Sequence, residues 1–156
     1  MDTNHQPAKI LLVEDNPSDV ELILQVFEWF NMSKHVKVVW DGAEAVDFLC
    51  GTGAYSGVDC PTKPKVIILD LKLPKLNGVE VLRKIKSDER TRTIPVVVLT
   101  SSREDCDMVE SYNLGANSYI VKPVNFDDFS STIRDLGHYW GFINEPLDSP
   151  LNNKTK

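Results

Sequence analysis

The chain has 156 residues, 42% of them hydrophobic, which is enough to bury one core and bounds it to a single domain. Its formal net charge of -6 excludes a nucleic-acid surface, and its densest basic group, Arg83, Lys84 and Lys86, has Glu80, Asp88 and Glu89 close by and reads as a solvated face. No apolar run approaches the roughly 18 residues that span a bilayer, and Met1 to Lys9 is polar rather than signal-like, so the expectation is a cytoplasmic protein without a membrane partner.

Ile10-Leu11-Leu12-Val13 is the first of five short apolar runs. After it, Asn16-Pro17 supplies an N-cap and a proline at the first helical position, and Val20, Ile23, Leu24, Phe27 and Phe30 recur on one helical face. Val36 to Trp40 is the second run, followed by Asp41 and a helix carrying Ala45, Val46, Phe48 and Leu49. Gly51 to Pro64 is a turn-rich loop with three glycines and two prolines. Val66 to Leu69 has no polar alternation, as in a strand covered on both faces. Asn77-Gly78 then opens a helix with Val79, Leu82 and Ile85 inward. Beyond Val96 to Leu99, a fourth helix is marked by Cys106, Val109 and Tyr112 and closed by Leu114-Gly115. After Tyr119-Ile120-Val121, a fifth carries Phe126, Phe129, Ile133 and Leu136. Strict β-α alternation predicts a doubly wound parallel five-stranded sheet with helices on both faces.

Cys50, Cys60 and Cys106 are odd in number and share no CxxC spacing, so neither a disulfide framework nor a zinc site is indicated. Cys50 and Cys106 read as small core residues and Cys60 as a loop thiol. The tail from His138 to Leu147 carries several large apolar side chains. Two readings are open: these residues pack back on the domain, or they form a self-association arm. Residues 1–7 and 151–156 are expected to be flexible ends.

The ends of the runs align. Val13 is followed by Glu14-Asp15, Leu69 by Asp70, Leu99 by Thr100-Ser101-Ser102 and Val121 by Lys122-Pro123. In an open parallel sheet all of these lie at the carboxyl edge, where ligands bind. Convergent carboxylates repel by roughly 4 kcal/mol per pair at about 4 Å in an effective dielectric of about 20, so a positive group belongs among them. Oxygen-only ligands suit Mg²⁺, which keeps several waters and accepts one or two carboxylates plus a phosphate oxygen. The charges of Glu14, Asp15 and Asp70 are then offset by the ion and Lys122, leaving a site able to take a phosphoryl group. A carboxylate so placed is a competent phosphoryl acceptor. The residues assign Asp70 as the nucleophile, Asp15 as direct metal ligand, Glu14 as ligand through water and the Lys72 carbonyl as a further ligand. Lys122 and Thr100 are assigned to the phosphoryl oxygens.

Leu12-Val13-Glu14-Asp15-Asn16, Leu69-Asp70-Leu71-Lys72-Leu73-Pro74 with Gly78, Leu99-Thr100-Ser101 and Val121-Lys122-Pro123 resemble the receiver domain of two-component response regulators. The resemblance covers residues 8–137. It implies a (βα)5 flavodoxin-like fold, phosphorylation of Asp70 by a partner sensor histidine kinase, a cis peptide between Lys122 and Pro123, and a switch in which Thr100 moves toward the phosphoryl group and Tyr119 turns inward. No output domain is legible after Lys122. The long Gly51 to Pro64 loop and the tail are similar to the single-domain regulators that accompany phytochromes, which implies a phytochrome kinase as partner and a homodimer formed through the extension, residues 138–150. Lys72 and Ser101 depart from the common pattern, and with Ser102 they are the positions expected to modulate the site; Lys72 is expected to lie over the phosphoryl group and slow attack by water.

A haloacid-dehalogenase-like phosphatase also uses a strand-end Asp, a Thr or Ser and a Lys, but its Asp-x-Asp pattern is broken here by Lys72, which leaves no general acid. The expectation is therefore a phosphoacceptor rather than a turnover enzyme. A flavin or nucleotide binder is disfavoured because no glycine-rich loop follows the first strand. His5, His35 and His138 all fall away from the strand ends.

Overall fold

The structure is a computed structural model that describes residues 8–57 and 63–147. Five strands, β1 (Ile10–Val13), β2 (Val36–Val39), β3 (Val66–Leu69), β4 (Val96–Thr100) and β5 (Ser118–Val121), alternate with five helices, α1 (Pro17–Trp29), α2 (Gly42–Cys50), α3 (Gly78–Ser87), α4 (Asp105–Leu114) and α5 (Phe126–His138). The strands are parallel in the order β2-β1-β3-β4-β5, the doubly wound flavodoxin-like arrangement expected. The chain reverses its direction of travel across the sheet between β1 and β3, so a crevice opens at their carboxyl ends.

The unalternating runs are explained by the two layers of helix. Ile10, Leu12, Val66, Ile68, Val97 and Leu99 face α1 and α5, where they pack with Ile23, Phe27 and Ile133. Their neighbours Leu11, Val13, Ile67, Leu69, Val96 and Val98 face the other way, onto Ala45 of α2 and Val81, Leu82 and Ile85 of α3. With period 2 along a strand and a helix layer on each side, every position is buried.

Helix starts agree with the sequence. Asn16 Oδ1 accepts from the amides of Ser18 and Asp19, Asp41 from Glu44, Asn77 from Glu80 and Asn125 from Asp128. Gly51 and Gly115 close α2 and α4 with φ of 70° and 110°, left-handed values that favour glycine.

Several expectations are corrected. The inward face of α4 is not Cys106, Val109 and Tyr112: Val109 and Tyr112 are exposed, Ser111 is buried, and Met108 and Leu114 are half-buried beside it. Val109 and Tyr112 do not mark its buried stripe, because the polar Ser111 holds the central inward position. Cys106 is therefore exposed and Cys50 only half-buried, so neither is a core residue. Phe30 and Phe126 stand at the ends of α1 and α5, where the helix leaves the sheet, and both are exposed. Lys86 departs from the solvated face: its Nζ donates to the carbonyls of Arg92 and Ile94 at 3.1 and 2.8 Å, closing the turn between α3 and β4, and burial lowers its pKa. There is no cis peptide bond among the described residues, so Lys122–Pro123 is trans, the preferred isomer even before proline.

The tail divides between its two readings. Tyr139–Ile143 continues α5 as a π-helical turn. Trp140 packs against the α1–α5 core, Gly141 is buried beside Ile10, and Phe142 lies edge-on to His35 at 5.7 Å. Tyr139, Ile143 and Leu147 are exposed, and an open groove of about 570 Å³ lies between Phe30, Met32, His138 and Phe142 on one hand and Asn31, Arg134 and Asp135 on the other. His5, Cys60 and the two chain ends lie outside the described residues.

Candidate functional site

The site forms where β1, β3, β4 and β5 end. Val13 and Leu69 are register partners, and the ladder runs one step further, with the Asp70 amide donating to the Val13 carbonyl at 3.1 Å. Glu14 and Asp70 are thereby held side by side. Thr100 and Val121 are partners in the next ladder, and the Lys122 amide donates to the Thr100 carbonyl at 2.8 Å. Four strand ends thus deliver Glu14, Asp15, Asp70, Thr100 and Lys122 to one crevice.

Lys122 is the hub. Its Nζ donates to Asp19 Oδ2 at 2.8 Å, Glu14 Oε1 at 2.9 Å and Asp70 Oδ2 at 3.0 Å, using all three protons of the ammonium. Burial opposes its charge, but hydrogen bonds to Asp19 and Glu14 and the charges of Glu14 and Asp70 outweigh burial and hold its pKa well above the usual lysine range. Glu14 is only 1% exposed. Burial and the neighbouring Asp70 push its pKa up to about 7 against the opposing pull of Lys122. The single ammonium of Lys122 does not offset burial and the second carboxylate, so Glu14 remains short of compensating positive charge.

Asp15 is exposed at the mouth, and one carboxylate oxygen from each of Glu14, Asp15 and Asp70 can be chosen so that all three lie within 4.8 Å of one another. An all-oxygen donor set beside a carboxyl short of positive charge fits a hard divalent cation. Asp70 is 7% exposed, and its other oxygen accepts from the Lys72 amide at 3.2 Å. That bond fixes the carboxylate across the start of the β3–α3 loop. The loop doubles back through a γ-turn at Lys75, φ 67°, with the Leu76 amide on the Pro74 carbonyl at 2.7 Å. Gly78 then passes so close to the Asp70 carbonyl and Leu71 Cα that no Cβ fits there. The Lys72 side chain is exposed and lines an open cleft of about 450 Å³ with Asp15, Pro74, Asn77 and Asp107.

Thr100 is fully buried, and its Oγ1 accepts from the Ser102 amide at 3.3 Å, which leaves its own proton available to the crevice. Ser101 is exposed and Ser102 buried. Ser102 Oγ donates to Asp107 Oδ2 at 2.5 Å and its carbonyl accepts from the Tyr119 hydroxyl at 3.2 Å. Tyr119 is half-buried, with its ring 6.5 Å from that of Tyr112. A hydrogen-bonded path therefore leads from Thr100 through Ser102 to Asp107 on α4 and Tyr119 on β5.

Two participants escape sequence reasoning. Asp19 reads as an ordinary first-turn acid that complements the helix dipole, and Asp107 looks the same in α4. Asp19 lies in the first turn of α1, shortly after the strand-end acids Glu14 and Asp15, which is the only signal that it shares the crevice. Nothing in the spacing of Asp107 connects it to Ser102.

The chain belongs to the response regulator receiver domain family, whose sequence model matches residues 10–134. Receiver domains of this type serve two-component signalling, are generally not turnover enzymes, and bind Mg²⁺ or Mn²⁺ at the acidic pocket; a histidine kinase is the phosphodonor partner that membership implies. Among its relatives, the probable methanogenesis regulatory protein FilR2 of Methanothrix harundinacea is 41% identical over 86% of this chain and 84% of its own. Response regulator Rcp1 of Synechocystis is 36% identical over 89% and 92%. The Mn²⁺-bound structure of Rcp1 superposes with a TM-score of 0.82 at 35% identity, covering 90% of this chain and 99% of that one. The phosphorylated cyanobacterial phytochrome response regulator RcpA gives 0.83 at 36%, covering 92% and 100%. Among the described residues no helix is long and apolar enough to cross a membrane.

Proposed function

We propose that this protein is a cytoplasmic single-domain response regulator that accepts a phosphoryl group on Asp70 from a sensor histidine kinase in a Mg²⁺-dependent reaction. The observation that carries the reading is Asp70 Oδ2 held 3.0 Å from the Lys122 ammonium beside the carboxylates of Glu14 and Asp15. Glu14, Asp15, Asp70 and the Lys72 carbonyl would hold the ion, Asp15 directly and Glu14 through water. When bound, the ion supplies positive charge to the oxygens of the group in transit.

The chain's own residues do the rest. Asp70 is oriented by the Lys72 amide and Lys122, so one carboxylate oxygen faces the crevice as nucleophile. It forms the new P–O bond as the bond from phosphorus to the donor breaks, and the donor leaves with the electron pair. Lys122 passes one of its three hydrogen bonds from Asp70 to a phosphoryl oxygen, and Thr100 donates its free proton to another. Drawing Thr100 inward loosens the Ser102 amide from its hydroxyl, and the movement passes to α4 and Tyr119, whose inward turn is the readout. Lys72, at the cleft rim, shields the acyl phosphate from water, with Ser101 and Ser102 setting the neighbouring loop.

The similarity to RcpA supports a phytochrome kinase as the phosphodonor. The exposed Tyr139, Ile143 and Leu147 support a homodimer formed through the extension, residues 138–150. The phosphatase reading is disfavoured because Lys72 occupies the position of that family's general acid.

Intact-protein mass after incubation with acetyl phosphate tests the reading. A gain of one phosphoryl group that requires Mg²⁺ and disappears in Asp70→Asn is the expected result. Labelling retained in Asp70→Asn overturns the acceptor assignment.

A further inference from the structure

The Lys122 ammonium has three acceptors, and they are not equivalent. Glu14 and Asp70 belong to the cluster of three carboxylates fit for a divalent cation, and Asp19 lies outside it. Asp19 nevertheless gives the shortest of the three bonds, 2.8 Å against 2.9 and 3.0 Å. It reaches the crevice from the first turn of α1, not from a strand end, and its backbone amide is tied to the Asn16 cap. Glu14 and Asp70 must serve both the ammonium and a cation. Asp19 serves only the ammonium.

We propose that Asp19 is a positioning residue, a dedicated anchor that keeps Lys122 in the crevice while Glu14 and Asp70 are shared with a divalent cation; the metal side of this rests on the function proposed above. Without Asp19, Lys122 has one proton unpartnered and leans on the two remaining carboxylates, in competition with the cation. The site also loses one negative charge. Both effects weaken cation binding, so their signs do not cancel.

The test uses the full chain and two readouts. Free Mn²⁺ is followed by electron paramagnetic resonance during titration of the wild type, Asp19→Asn, Asp19→Ala and Asp19→Glu. The side-chain ammonium signals of ¹⁵N-lysine-labelled, metal-free protein are recorded in parallel, with Lys122 assigned by its loss in Lys122→Met. A Lys122 signal protected from exchange in the wild type, retained in Asp19→Asn and lost in Asp19→Ala is expected. Mn²⁺ binding should weaken roughly 3- to 10-fold in Asp19→Ala, the scale of losing one charge about 6 to 12 Å from a divalent ion at an effective dielectric of about 80. Asp19→Glu should restore both readouts at least in part. Ser18→Asp combined with Asp19→Ala returns the charge to the first turn of α1 away from Lys122, and restoration there would assign the effect to the helix and overturn the anchor. Wild-type affinity and an unmoved Lys122 signal in Asp19→Ala would overturn it too. Failure of the wild type to bind Mn²⁺ would sink the proposed function instead, while the ammonium signal would still decide what Asp19 does to Lys122.

Discussion

Replacing Lys122 with methionine keeps the apolar stem and removes the charge on which Glu14, Asp19 and Asp70 converge. The three contacts are 2.8 to 3.0 Å long, and the side chains of Lys122, Glu14 and Asp70 are 10%, 1% and 8% exposed, so water screens these two pairs little. Breaking a buried pair by removing one partner costs about 3 to 5 kcal/mol, since the other charge is left without compensation. Asp19, at 25% exposure, regains water and adds little. Glu14 escapes part of the cost by taking up a proton, its pKa already standing near 7. The expectation near pH 7.5 without metal is a loss of about 3 kcal/mol in urea unfolding, at unchanged slope. Millimolar Mg²⁺ should return much of it, because a cation bound by the native state alone stabilises by mass action. Equal stability of Lys122→Met and wild type without metal would refute the account of Lys122 as the counter-charge of the site. A loss that Mg²⁺ leaves untouched would refute the metal assignment of the same carboxylates.

Three further outcomes are expected. Glu14 has a folded pKa of about 7, raised from 4.5 by burial and Asp70, so its contribution to stability is fully present below pH 4.5 and is lost as pH rises through 7. Metal-free wild type should therefore lose stability relative to Glu14→Gln across that window, by no more than about 3 kcal/mol, and parallel pH profiles would contradict this. His35, whose pKa burial and the nearby Lys9 and Lys34 lower, acts in the opposite direction but is common to both proteins. Lys72→Ala should shorten the lifetime of the phosphorylated protein several-fold, measured as loss of the added phosphoryl mass after the donor is removed; an unchanged or longer lifetime means that Lys72 does not shield Asp70. Ile143→Asp, at an exposed tail position, should convert a dimer to a monomer in analytical ultracentrifugation with an unchanged far-UV circular dichroism spectrum, and an unchanged mass places self-association elsewhere.

The order of strands and helices, the caps at Asn16, Asp41 and Asn77 and the burial of β1, β3 and β4 were legible in the sequence because they rest on local signals: period, capping chemistry and unbroken apolar runs. The same holds for Glu14, Asp15, Asp70, Thr100 and Lys122, since parallel pairing turns the shared position after a strand into shared space. Reading fails where local pattern and packing diverge. Val109 and Tyr112 look like a buried stripe, yet Ser111 takes the inward place, for a helix on the flank of a sheet is oriented by its neighbours as much as by its own residues. Lys86 and Asp19 carry the same charge as their solvated neighbours, and only the approach of β4 and β5 gives them partners. The tail likewise shows its apolar content in sequence, but which side chains it buries is set by the surface presented by Ile10 and His35. The sequence by itself determined the fold and the chemical identity of the crevice, because both rest on periodicity and on the polar residues placed directly after each strand. The tertiary structure alone decided that Lys122 is held by three carboxylates, one of them on α1, because a hydrogen bond across 103 residues depends on how a helix lies on its sheet.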